Sequence, residues 1–247
     1  NAHLLVESLE ETRSLSPSFH VPAAFAAEDS PIAIVGIGAR VGCGDSVCDF
    51  TRDLFNGQGS MQPRPAIAVE LAGLRFPPKD LEQSLAQQTL VLEAAREATL
   101  GVDLPRERTA VLVGMGCDPE VGRYGTRWRL ATEFEDGEGL AEARDGIVPV
   151  LQASGVVGAM PNMPANRINS QLDVGGPSFT LSAEEASGLV GLELAARALR
   201  AGEIDAAVGG AVDLSHEPVH QAALAELGGG TPAGDAAVVL VLKRLAD

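Results

Sequence analysis

Residues Gly176 to Gly191 read Gly-Pro-Ser-Phe-Thr-Leu-Ser-Ala-Glu-Glu-Ala-Ser-Gly-Leu-Val-Gly. Ser178–Leu181 has the length and residue types of a short strand. Apolar positions then recur at helical spacing, which predicts a helix over Glu184–Ala201. Ser182-Ala-Glu-Glu185 fits a capping box, in which Ser182 accepts from the backbone amide of Glu185 and Glu185 reaches back. Glu184 and Glu185 would also sit in the positive field of the helix start, worth about 0.3–1 kcal/mol each at an exposed site. A strand that passes straight into a helix is the unit from which α/β layers are built.

The same alternation extends in both directions. Ile32–Gly38 reads as a buried strand. Asp45–Asn56 reads as a helix with Phe50, Leu54 and Phe55 toward the core. Residues 57–79 hold glycines and prolines and read as a loop. Asp80–Leu100 is periodic, with Leu81, Leu85, Leu92 and Ala95 on one face, and Gly101 ends it. Thr109–Gly114, Ala206–Val212 and Ala236–Leu242 complete the predicted strands, and Val121–Phe134, Ile147–Ser154 and Asn162–Gln171 the helices. Strands separated by helices imply crossovers and a mostly parallel sheet covered on both faces.

Composition narrows the partners. The chain has 247 residues and a formal charge of −16, which argues against nucleic acid and anionic membrane surfaces. Hydrophobic residues make up 45% and aromatics 4%, so the core is built from Ala, Val, Leu and Ile. No apolar run reaches the ~18 residues of a membrane span. Cys43, Cys48 and Cys117 lack metal-ligand spacing, and their ordinary reading is free thiols in a reducing cytosol.

Other motifs have plain readings beside sharper ones. Gly36-Ile-Gly38 with Gly42 follows a strand, but its spacing is not that of a dinucleotide loop, so a tight turn is the better account. Arg123, Arg127 and Arg129 surround Tyr124 and Trp128 as a basic-aromatic cluster, either a solvated face or a contact for a partner or carrier. His216 and His220 are four apart, yet Pro218 would disturb a helix spanning both, and no third metal ligand accompanies them.

The opening run resembles the nucleophile segment of β-ketoacyl synthases, roughly G-P-S-x-T-V-D-T-A-C-S-S-S-L-V-A, and the Cys of that pattern falls on Glu185. Ser30–Gly38, Pro164-Ala-Asn-Arg-Ile-Asn169, Leu199–Gly210 and Val238–Leu245 resemble further family segments in the family's order. The resemblance implies a thiolase-like α/β fold over residues 30–247, and only its N-terminal half. Ser-Ala-Glu-Glu at the nucleophile is most similar to chain-length-factor domains of polyunsaturated fatty acid and polyketide synthases. Two departures stand out. The span from Gly210 to Gly234 is shorter than the family's, and no counterpart of the second half with its two histidines is present. Asn1-Ala-His3 is similar to the end of a ketosynthase, which would assign residues 1–7 to an upstream domain, His3 to its catalytic set, and residues 8–29 to a linker.

A thiolate can carry an acyl group, whereas a carboxylate would form an anhydride that water destroys. The resemblance therefore implies a non-acylating domain in a cytoplasmic multidomain synthase. It would pair with an active ketosynthase and shape the acyl tunnel, with acyl groups presented on the phosphopantetheine of an acyl carrier protein and no cofactor or metal of its own. Met160, Met163, Phe179, Glu184, Glu185, Gly188 and Gly191 are the tunnel or interface candidates. Arg123, Arg127, Trp128 and Arg129 are the carrier or partner candidates. Malonyl-thioester decarboxylation and a purely structural scaffold are the alternatives. A lone half would leave one helix layer underburied.

Overall fold

In the computed structural model the described residues are 30–59, 62–116, 118–133, 139–228 and 233–247. The upstream segment 1–7 with His3, the linker 8–29 and Cys117 lie outside them. Five strands form one sheet in the order β1-β5-β4-β2-β3, with β1 Ile32–Val41, β2 Thr109–Met115, β3 Ser178–Leu181, β4 Ala206–Asp213 and β5 Ala236–Arg244. β2 pairs in parallel with β3 and β4, while β5 runs antiparallel to both β4 and β1. Four strands thus point one way and β5 alone is reversed, so the sheet is mixed with a parallel majority.

Side chains alternate across β2 and define two cores. Val111, Val113 and Met115 face the first, with Val208, Val239 and Val241. Ala110 and Leu112 face the second, with Ala207 and Leu242. The helices are α1 Val47–Phe55, α2 Pro78–Glu82, α3 Ala86–Ala98, α4 Gly122–Glu133, α5 Leu140–Ile147, α6 Ala153–Ala159, α7 Met163–Leu172, α8 Ser187–Arg200 and α9 Pro218–Glu226. α3 fills the first face and α8 lies on the second.

The structure corrects several sequence expectations. The helix expected over Asp80–Leu100 is broken into α2 and α3 at Gln83–Leu85. Gly158 of α6 presses on that break, where a Cβ would stand 2.4 Å from the Gln83 carbonyl oxygen, and its own carbonyl accepts from Leu85 N at 3.1 Å. No helix spans Ile147–Ser154, because Pro149 holds Val148 in an extended conformation and separates α5 from α6. β1 is not buried, since it is the sheet edge with Ile34 56% and Ile37 48% exposed. α1 packs beside that edge, which leaves Leu54 and Phe55 in solvent rather than in the core.

The face under α8 stays partly open. Ile34 stands opposite Leu242 and Ile37 opposite Leu240, so both project onto the side of the sheet that α8 occupies. Val238, two residues from Leu240, projects there too and is exposed. Leu189 and Leu194 of α8 are also exposed. Among the described residues this side of the sheet is the less covered one.

Candidate functional site

The run that opened the sequence reading folds into a strand, a tight turn and a helix. β3 ends at Leu181 and α8 begins at Ser187, three residues later than expected. The capping box does not form. Ala186 occupies the N-cap without a side-chain hydrogen bond, and Ser187 secures the turn instead. Its hydroxyl accepts from Ala183 N at 2.9 Å and donates to the Glu184 carbonyl at 2.6 Å. Glu184 adopts φ +52°, a left-handed conformation that costs a non-glycine residue about 1–2 kcal/mol. Strain of this kind concentrates where a side chain must be presented at a site.

Glycine lets the turn approach the sheet. A Cβ on Gly114 would lie 2.7 Å from the Ser187 carbonyl carbon, so the end of β2 runs directly beneath the start of α8. Between the C-terminal ends of β2 and β4 and the first turn of α8 opens a cleft of about 650 Å³. Met115, Ala211 and Val212 give it an apolar floor, and Glu184, Glu185 and Asp213 contribute carboxylates. His220 and Leu224 of α9 close one wall. No Lys or Arg is among its lining residues within the described part of the chain. Ligands of open α/β sheets sit at this end of the strands. Cavities of about 190 Å³ beside Tyr124 and about 440 Å³ beneath residues 64–71 lie away from Glu185.

Acidic groups extend behind the wall. Asp118 is buried, and desolvation, reinforced by the charges of Glu217 and Asp213, raises its pKa above the usual carboxylate range. Burial, with the nearby Asp118 carboxylate, likewise raises that of Glu120. Arg123 bridges Glu120 at 3.4 Å and also pairs with Glu217.

The sequence candidates divide accordingly. Glu184, Glu185 and Gly188 meet at the cleft. Gly188 and Gly191 serve helix-to-sheet contact, since a Cβ on each would lie 2.9 Å from Ala211 Cβ and 3.4 Å from Leu181 Cδ2. Met160, Met163 and Phe179 do not line the cleft: Met160 receives the Gln88 side chain on its carbonyl at 3.0 Å, and Phe179 lies exposed on the edge strand β3. The basic-aromatic cluster splits. Arg123 and Arg127 are tied into the fold, Arg127 to Asp145 at 2.6 Å, while Trp128 and Arg129 face solvent. Sequence reading missed Asp213, Ser215, His220 and Leu224 as lining residues. Asp213 and Ser215 had a signal in their position at the end of a parallel strand, whereas His220 and Leu224 are brought to the cleft by α9. Among the described residues no three His, Cys, Asp or Glu side chains converge as a metal site, and no helix is long and apolar enough to cross a membrane.

Residues 69–247 match the family model described as beta-ketoacyl synthase, N-terminal domain. The chain belongs to the β-ketoacyl synthase family. It is 29% identical over 207 residues to the highly reducing polyketide synthase GPY1 of Gibberella fujikuroi, covering 76% of this chain and 8% of that protein. It is 30% identical over 236 residues to the highly reducing polyketide synthase ntnH of a Nectria species, covering 83% of this chain and 9% of that one. The chain thus spans less than a tenth of the length of either relative. Among solved structures, it resembles the PfaC keto synthase–chain length factor at TM-score 0.71 and 22% identity, covering 88% of this chain and 29% of that one. It resembles the ishigamide ketosynthase/chain length factor at TM-score 0.65 and 16% identity, covering 87% and 62%. At these identities the structural likeness establishes the thiolase-like ketosynthase fold.

Proposed function

We propose that this ketosynthase-like chain acts as a non-acylating, chain-length-factor-like domain of a multidomain polyketide or fatty acid synthase. The observation that carries the reading is Glu185, which stands where the family's nucleophile pattern places Cys, on a turn held open to the cleft by the strained Glu184. The scaffold for presenting a nucleophile is kept and the sulfur is absent. A carboxylate there cannot store an acyl group against water. The cleft instead offers an apolar floor to a chain end. Each further methylene that fits is worth about 0.8 kcal/mol, which is how such a space measures length.

The open apolar face formed by Ile34, Ile37, Val238, Leu189 and Leu194 supports pairing with a second ketosynthase-type layer. The malonyl-decarboxylase alternative fits less well, because the described residues of the cleft walls include carboxylates and no Lys or Arg to receive a malonyl carboxylate.

Two measurements test the reading in the intact synthase. Peptide mapping after incubation with acyl thioester is expected to find no adduct on the peptide holding Glu185; an adduct there overturns it. Leu224→Trp, which fills the cleft from its α9 wall, is expected to shorten the products. An unchanged product distribution overturns the chain-length role.

A further inference from the structure

α9 forms a wall of the cleft, yet none of its residues is buried. His220 and Leu224, one turn apart on a common face, are the residues it contributes. Its hydrogen bonds and its ion pair to the rest of the fold are gathered at one end. The Glu217 carboxylate caps the helix, accepting from Val219 N at 2.7 Å and His220 N at 3.0 Å, and pairs with Arg123 of α4. The Gln221 side chain donates to the Ser215 carbonyl. At the other end Leu227 is 82% exposed and Gly228 takes φ +92°, a left-handed conformation that glycine adopts without strain. α9 is therefore a wall hung from its first turn.

The charges at that turn are unbalanced. Asp118, Glu120 and Glu217 gather around one guanidinium, with Asp213 close enough to raise the Asp118 pKa. We infer that Arg123 is a positioning residue: through Glu217 it holds α9 against the cleft and so sets how long a chain end the cleft accepts. This rests on the chain-length reading above. The direction follows from the charges. Without the guanidinium the Glu217 carboxylate and those of residues 118–120 repel one another, so α9 moves outward and the cleft lengthens.

The test uses the intact synthase with Arg123→Met, Arg123→Lys and Glu217→Gln, the last keeping a carbonyl cap while removing the charge. Hydrogen exchange of the Val219–Glu226 amides should quicken several-fold in Arg123→Met and in Glu217→Gln, no further in the double variant, and less in Arg123→Lys. Non-additivity of this kind marks two groups acting as one. The ratio of longer to shorter products should rise severalfold in Arg123→Met. Unchanged exchange overturns the inference. So does an unchanged product ratio in Arg123→Met when Leu224→Trp shortens the products, and in that case the chain-length reading stands. If neither variant alters product length, that reading falls and the inference falls with it.

Discussion

α3 and α8 are helices of similar length on opposite faces of one sheet, and they are buried very differently. α3 buries ten of its thirteen residues, the polar Gln87, Gln88, Thr89 and Glu93 among them. α8 buries four of fourteen, Ser187, Gly191, Ala195 and Leu199, a single stripe at four-residue spacing. α3 is enclosed by the sheet, by α7 and by the packed residues Ile67, Val69, Leu74 and Phe76. Nothing among the described residues encloses α8 to that degree, and its Leu189 and Leu194 are exposed, as are Ile34 and Ile37 of β1. The difference teaches that one face of the sheet is finished within this chain. The other, which carries Glu185 at its mouth, stays partly open among the described residues.

The largest effects should come from substitutions that treat the two helices alike. Leu92→Ala on α3 removes a side chain with 0% exposure, and such truncations cost about 2–5 kcal/mol. Leu189→Ala on α8, where the side chain is 72% exposed, should stay within about 0.5 kcal/mol. Denaturant titration followed by circular dichroism checks both. Leu189→Asp should then loosen association with a covering partner in the intact assembly, read by native mass spectrometry. Equal denaturation costs for the two alanine variants would break the comparison, and an undisturbed assembly in Leu189→Asp would remove the covering layer from the argument.

Much of this asymmetry was legible in the sequence. The alternation of strands and helices and the parallel majority followed from local pattern and from the family resemblance, and so did a strand-to-helix turn after Leu181, though its helix begins three residues later than read. What escaped reading depended on neighbours distant in sequence. Ile32–Gly38 looks like a buried strand because composition does not say whether a strand lies at an edge. Ser182 to Glu185 spells a capping box, but the turn is settled by Ser187 and by the close approach of Gly114. The break at Gln83–Leu85 is enforced by Gly158, more than seventy residues away. His220 stands out in the sequence only for its spacing from His216, and it is α9 that places it over the cleft.

A smaller effect concerns how each helix is seated. α3 rests on β1 through Gly38, where a Cβ would lie 1.9 Å from the Ala94 carbonyl oxygen and 2.8 Å from Ala98 N, both backbone atoms. α8 meets β4 through Gly188, where the obstacle is the Ala211 methyl at 2.9 Å. Backbone cannot step aside, whereas a side chain can be removed. Overpacking typically costs about 1–3 kcal/mol. Gly38→Ala should fall at or above the top of that range and Gly188→Ala at the bottom. Ala211→Gly should restore the stability of Gly188→Ala, as measured by Tm, and leave Gly38→Ala unaffected. Rescue of neither would mean that α8 is seated by contacts other than this pair.

The smallest effect separates the two helix starts. α8 begins beside the exposed Glu184 and Glu185. α3 begins at Ala86, with Glu120 nearby, and Glu120 in turn lies beside the buried Asp118. The Asp118 carboxylate accepts Glu120 N at 2.9 Å, which favours its charged form, but desolvation outweighs that bond and raises its pKa. The folded state therefore holds this proton more tightly than the unfolded chain. Stability falls as pH rises from the unfolded value of about 3.9 through the raised folded value, and the penalty is fully present above it. Asp118→Asn keeps an acceptor for Glu120 N and carries no charge. Its Tm should exceed that of the parent at pH 7, and the gain should shrink as pH falls and vanish below about pH 4. A gain independent of pH would assign the benefit to packing, and a loss at pH 7 would show that the charge itself supports the start of α3.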